Sequence, residues 1–147
     1  MPEAYTQSLL LYAYQESARK LTRYLREKGH TSIRPKHGAV FANIDRDGAR
    51  ATVLAERSGM GKAAMGELID ELERLGYVER HPDPADRRAK MVMPTQRALE
   101  VTRLVHRFNG RLEASYRELL GDAAYETFRD SLARIVPDGG GMQPRIK

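Results

Sequence analysis

Apolar residues recur along the chain first at helical steps, then briefly at strand steps, then at helical steps again. From about Glu3 to Lys28, Tyr5, Leu9, Tyr12, Ala13, Leu21, Tyr24 and Leu25 mark one face. Gln15, Glu16, Arg19, Lys20, Arg23 and Arg26 mark the other, which predicts a long amphipathic helix ended by Gly29-His30. A helix with one apolar face needs a partner, either the body of the domain or a second subunit. Thr31–Arg34 is a connector, and Pro35 suits a first helical turn, where its missing N–H costs nothing. A helix is expected from Pro35 to Asp45, with Ala39, Val40, Phe41 and Ile44 inward. Asp45–Gly48 reads as a turn, and Ala49-Arg50-Ala51 as a short extended piece able to pair as a third strand.

The stretch Thr52–Thr95 organises the rest. Thr-Val-Leu-Ala-Glu-Arg-Ser forms a short helix with Thr52 placed to cap its first amides, and Ser58-Gly59-Met60-Gly61 breaks it. A second helix follows from about Lys62 to Leu75, with Met65, Leu68, Ile69, Leu72 and Leu75 at three- and four-residue steps, and Gly76 stops it. Tyr77–Arg80 and Ala89–Met93 then read as two short strands joined by a polar turn over His81–Arg88. Helix, turn, helix and hairpin together make a winged helix-turn-helix, the layout of a DNA reader.

Beyond the hairpin a long helix is expected from Gln96 to about Leu120, capped by Thr95. Its apolar positions, Ala98, Val101, Val105, Phe108, Leu112, Tyr116 and Leu119, form a heptad-like seam suited to packing across a dimer. Gly110 weakens it locally. Gly121 breaks the run, and Asp122 can cap a last helix to about Val136, with Tyr125, Phe128, Leu132 and Ile135 on one side. Pro137–Gly141 ends order and residues 137–147 are expected to form a flexible tail. The fold class is mostly α with a small β-hairpin wing, without internal repeat. One domain spans 1–136, its winged lobe 34–94 flanked by long dimerisation helices over 1–30 and 95–136.

Composition narrows the function without choosing it. The chain has 147 residues, a net charge of +5 and no cysteine. The basic balance is compatible with nucleic acid. The absence of cysteine excludes disulfides, thiolate metal sites and a thiol redox switch within this chain. No apolar run approaches a membrane span and the first residues lack a signal-peptide pattern, so a cytoplasmic protein without membrane contact is expected.

The run Leu54–Thr95 resembles the DNA-binding core of the MarR family of bacterial transcriptional regulators. Leu72-Glu73-Arg74-Leu75-Gly76-Tyr77-Val78-Glu79-Arg80 carries most of the likeness, with the wing Asp83–Lys90 and the closing Pro94-Thr95. Arg34–Val40 also resembles the family's second helix. The resemblance implies a transcriptional regulator, in the repressor manner, binding a pseudo-palindromic operator as a homodimer. It also implies release by a small, often aromatic, ligand in a crevice between dimerisation helices and DNA-binding lobe.

The candidate DNA-binding residues are Thr52, Ser58, Gly61, Lys62, Ala63, Ala64 and Gly66 on the helical pair, and Asp86, Arg87, Arg88 and Lys90 on the wing. The amino end of the second helix, Gly61–Met65, offers free amides and its positive dipole end, and Lys62 adds a charge. Relatives often carry serine, threonine or glutamine where this chain has Gly61, Ala63 and Gly66, which cannot donate bidentate bonds to bases. Ala63 and Ala64 can only touch thymine methyls, so direct readout is expected to be sparse, with specificity leaning on DNA shape and the wing. Arg87 and Arg88, with Arg80 and Lys90 on the strands, suit a narrow minor groove. By resemblance Arg88 is the inserted residue, positioned by Asp86, and Arg87 meets phosphate or groove edge. Glu67, Asp70, Glu71 and Glu73 make the later turns of the recognition helix acidic and are expected to face away from phosphate; Asp70 or Glu71 can pair with Arg74 or a wing arginine.

His30, His37, His81 and His106 show no metal-ligand spacing, no catalytic order is present, and Gly59-Met60-Gly61 lies in a helix turn, so neither an enzyme nor a cofactor is expected. His37 and His106 approaching each other in the crevice, or forming a metal-sensing site with a carboxylate, stands beside the commoner structural histidine. The resemblance places the crevice near Tyr12, His37, Val40 and Phe41, and the tyrosines of the first helix suggest a small aromatic effector. The remaining alternative is a winged-helix protein-interaction module that has lost strong sequence-specific DNA binding.

Overall fold

The computed structural model describes residues 4–136. Helix α1 runs Thr6–Glu27; the expected start at Glu3 and the tail over 137–147 lie outside the described residues. The expected helix Pro35–Asp45 is instead a 3-10 turn, Pro35–His37, followed by one α turn, α2, Gly38–Phe41. Asn43 explains the break. Its side-chain amide takes the Ala39 carbonyl at 2.8 Å, while its backbone N–H turns to Val40 at 3.0 Å. The Arg57 guanidinium then donates to the Asn43 carbonyl and to Asp45, each at 2.8 Å, fixing the chain outside a helix.

Helix α3, Ala51–Ser58, starts earlier than a Thr52 cap requires. Its N-cap is Arg50, without a side-chain cap bond, and Thr52 is exposed in the first turn. The cause is tertiary: Ala49 exchanges two backbone hydrogen bonds with Val92, 3.0 and 2.8 Å long, and holds the chain extended up to Arg50. Only Ala49 of the expected third strand pairs, as an isolated bridge. Gly59 sits at φ +68 and lets Met60 N–H return to the Ala55 carbonyl, which closes α3 and aims the next helix. That helix, α4, runs Lys62–Arg74, and Gly76 at φ +82 ends it in the same way.

The hairpin is longer than its sequence suggested. Strands β1, Val78–Asp83, and β2, Asp86–Pro94, pair antiparallel, with Val78 opposite Pro94 and Arg80 opposite Val92. The eight-residue polar turn expected over 81–88 shrinks to Pro84-Ala85. Backbone pairing carries polar residues outward as readily as apolar ones, so polarity did not mark the strand ends. Helix α5, Gln96–Leu120, is capped by Thr95, whose hydroxyl accepts the Ala98 N–H at 3.4 Å. Helix α6, Asp122–Ile135, has Gly121 as its N-cap; Asp122 pairs with Arg117 and caps nothing.

Leu54, Met65, Ile69, Leu72, Tyr77, Val78 and Val92 pack a continuous core under the hairpin and α3–α4, which Leu25, Ala98, Val101 and Leu104 extend to the long helices. Tyr77 is the joint between the two parts. Its hydroxyl meets His30 Nδ1 at 2.7 Å and accepts from Arg97 at 3.1 Å. The Arg97 guanidinium also lies 4.5 Å from the Tyr77 ring centroid. Burial pushes the Tyr77 phenol pKa up, which keeps it neutral and able to donate.

Candidate nucleic-acid interface

The amino end of α4 is open. Gly61 is its extended N-cap with no side-chain cap bond, and the first helical bond runs from Met65 N–H to the Gly61 carbonyl. The amides of Lys62, Ala63 and Ala64 are therefore left outside the helical ladder, at the positive end of its dipole. Lys62, Ala63 and Ala64 are exposed while Met65 is fully buried. A Cβ added at Gly61 or Gly66 would meet nothing within 4 Å, so this face is unobstructed. Ser58 is not free: its hydroxyl donates to the Ala55 carbonyl at 3.2 Å, inside α3.

The acidic later turns of α4 are mostly paired. Arg80 of β1 donates to Asp70 at 2.7 Å and Glu73 at 2.9 Å, which fastens the wing to the helix and removes Arg80 from the free basic groups. Glu71 takes Lys36 at 2.7 Å and lies 3.4 Å from His37 Nε2. The Lys36 ammonium foremost holds the Glu71 carboxyl below its ordinary range. His37 itself is fully buried, its Nδ1 accepting the Arg34 N–H at 2.9 Å. Burial lowers its pKa, against the opposing pull of Glu71.

On the wing, Arg87, Arg88 and Lys90 are exposed, and among the described residues Arg87 and Lys90 have no acidic partner within salt-bridge distance. Arg88 is 93% exposed; Asp86 accepts its backbone N–H at 3.0 Å and stands 3.5 Å from its Nε. These arginines lie at the start of β2 beside the turn. The turn is held by a pair the sequence did not announce: Asp83, 7% exposed, accepts the Ala85 N–H at 2.9 Å and Arg50 at 2.6 Å. The Ala85 N–H first, and then Arg50, draws the Asp83 pKa down. Asp83 in a Pro-rich turn was a visible signal; its partner far upstream was not.

The crevice differs from expectation. A cavity of about 300 Å³ opens between α1, α2 and α5, lined by Leu21, Ile33, Phe41, Val105, Phe108 and His106. Of the four expected residues only Phe41 lines it. Tyr12 borders a more open hollow of about 810 Å³ that adjoins this cavity at Tyr14, Ala18, Thr22 and Pro35, while His37 and Val40 are sealed in the core. His37 is engaged by Arg34 and Glu71 rather than by the cavity-lining His106. Among the described residues no group of three or more histidine or acidic side chains could hold a metal ion.

Residues 32–89 match a family model described as MarR family. That span contains α2, α3, α4, β1 and the wing arginines. Over that span the chain is similar to the MarR family. Its DNA-binding winged helix is that of a MarR-type transcriptional regulator, a family of regulators rather than enzymes. It is 28% identical over 94 residues to the transcriptional regulator HosA of Escherichia coli O111:H-, covering 58% of this chain and 70% of that protein. The fold matches the reduced form of MarR from E. coli with a TM-score of 0.76 and 22% identity, over 93% of this chain and 100% of that one. It also matches Streptococcus pneumoniae FabT, solved in complex with DNA, with a TM-score of 0.77 and 17% identity, over 88% and 91% of the two chains. No described helix is long and apolar enough to cross a membrane.

Proposed function

We propose that this MarR-family regulator binds a pseudo-palindromic operator as a homodimer and acts as a cytoplasmic repressor. The observation that carries this reading is the pairing of an open helix end with a free cationic wing. The unbonded amides of Lys62, Ala63 and Ala64 approach phosphate as α4 enters the major groove. Gly61 and Gly66 keep the backbone close to the groove, and Thr52 offers a hydroxyl to the phosphates from the first turn of α3. Arg88, positioned by Asp86, enters the minor groove, and Arg87 and Lys90 meet its phosphate edges. Residues 34–94 thus read DNA, and residues 1–30 and 95–136 join two copies.

The dimer is supported by what the single chain leaves uncovered. Tyr5 at the N-cap of α1, Leu9, Leu11 and Tyr12 on α1, Leu119 on α5 and Phe128 and Ile135 on α6 are all more than two-fifths exposed. A second copy that covers these faces sets two α4 helices against successive major-groove turns, about 34 Å apart. The apolar cavity beside Phe41 and His106 accepts a small aromatic effector, which would shift the helices against the lobe and release DNA.

Fluorescence anisotropy on DNA from the protein's own upstream region, beside a scrambled duplex and across salt concentrations, tests the reading. Tight, sequence-preferring binding with a steep salt slope is expected. Equal weak binding to both duplexes would sink it. Isothermal titration with a panel of phenolic acids that gave neither heat nor loss of DNA binding would remove the effector.

A further inference from the structure

One carboxylate on α4 stands apart from the others. Asp70 and Glu73 are occupied by Arg80, and Glu71 by Lys36 and His37. Glu67 is exposed and has no cationic partner among the described residues. Its neighbours three and four positions away on the helix are Ala63, Ala64, Asp70 and Glu71, none of them a cation. The buried face of α4 is Met65, Leu68, Ile69 and Leu72. At 100° per residue, Glu67 and Ala63 fall on the line opposite that face, one turn apart. From Gly61 onward, Glu67 is also the first residue after Lys62 whose side chain can hydrogen-bond to a base.

We propose that Glu67 is the base-reading residue of this interface and selects cytosine in each half-site. This rests on the operator-binding reading and adds a base to it. A carboxylate offers only acceptors. In the major groove cytosine presents the N4 amino donor, whereas guanine presents N7 and O6 and thymine presents O4, all acceptors. Adenine presents its N6 donor beside the N7 acceptor, so a carboxylate meets one favourable and one opposing atom there. Glu67 therefore accepts from cytosine N4 and is repelled by guanine and thymine at the same position. The alanine and glycine surface in the preceding turn lets α4 seat deeply enough for the carboxylate to reach the base edge. The cations of Lys36 and Arg80 are already spent on the other acids and leave Glu67 unneutralised.

Selection from a random duplex library, read by sequencing, tests this with the full-length protein, Glu67→Gln and Glu67→Ala. The wild type should show one strongly cytosine position per half-site. Glu67→Gln should move that position toward adenine, because an amide pairs with N6 and N7 together, and Glu67→Ala should level it, with the rest of the motif unchanged. Replacing that cytosine by thymine should weaken wild-type binding about tenfold and Glu67→Ala by less than about twofold. Identical base preferences in all three proteins would overturn the proposal while leaving operator binding intact. Uniformly tighter binding by Glu67→Ala with no change of preference would also overturn it, since the acid would then only repel phosphate. A wild type that enriches no sequence would remove the operator reading itself. Thermal melting of the three proteins should agree, since Glu67 is exposed and pairs with no cation among the described residues.

Discussion

The lobe and the long helices solve the burial of apolar side chains in opposite ways. Between Ile33 and Val92 the core residues Val40, Ile44, Leu54, Met65, Ile69, Leu72, Tyr77 and Val78 are nearly inaccessible within one chain. At the start of α1, the end of α5 and on α6, large apolar side chains stay in solvent: the N-cap Tyr5 at 84%, Leu119 at 78% and Ile135 at 63%. The lobe is built of short elements folded on one another, so their apolar faces find neighbours. The helices are long, and the amino half of α1 and the outer faces of α5 and α6 find none. Uncovered apolar surface of this extent marks an interaction site. The lobe is finished within one chain, whereas the helical frame leaves apolar faces open.

The comparison can be broken most strongly from the frame. Leu9→Asp with Leu119→Asp should yield monomers by analytical ultracentrifugation and lower operator affinity by about a hundredfold or more, because linkage of two half-sites is lost. The lobe should still melt cooperatively. A dimer that survives both charges would refute the division. In the lobe the matching change is Ile69→Ala, which should cost about 3 kcal/mol in urea unfolding. A loss below about 1 kcal/mol would mean the site collapses to fill the cavity.

Smaller effects sharpen the picture of the wing. Arg88→Ala should weaken operator binding about tenfold and reduce the salt slope by about one, with Arg87→Ala acting less on affinity but similarly on the slope. Equal binding by all three proteins would show the wing clear of DNA. The smallest effect is that of His37. Its pKa in the folded protein lies below the ordinary 6.5, so the unfolded chain takes up the proton first as pH falls. Its contribution is present above about pH 6.5 and is lost as pH drops toward the folded value. Thermal melts at pH 7.5 and 5.5 should therefore differ less in His37→Gln than in the wild type; an equal difference would place the acid sensitivity elsewhere.

Elements with many periodic positions were legible in the sequence. The span of α4 followed from Met65, Leu68, Ile69 and Leu72 together with Gly76, and α5 from its seam and the Thr95 cap. Where one side chain diverts the backbone, periodicity failed. Asn43 stopped a helix whose apolar pattern continued to Ile44, and Ala49 pairing with Val92 moved the start of α3 ahead of Thr52. The hairpin was underestimated because exposed strands carry polar residues. In the candidate site, the basic wing and the bare helix end were legible from residue type. The state of each charge was not: Arg80 is bound to Asp70 and Glu73, and Arg50 to Asp83. The expected crevice kept only Phe41, because His37 and Val40 face the core side of the 3-10 turn and α2.

By itself the sequence determined the order of the elements, the long amphipathic helices and the likeness to a family, because these rest on local spacing and on residue types that act within one or two turns. Only the tertiary structure decided which charges are neutralised, which apolar faces remain open and which residues border the cavity. Those depend on contacts between residues far apart in the chain, such as Arg50 with Asp83, and no local pattern encodes the partner of a side chain.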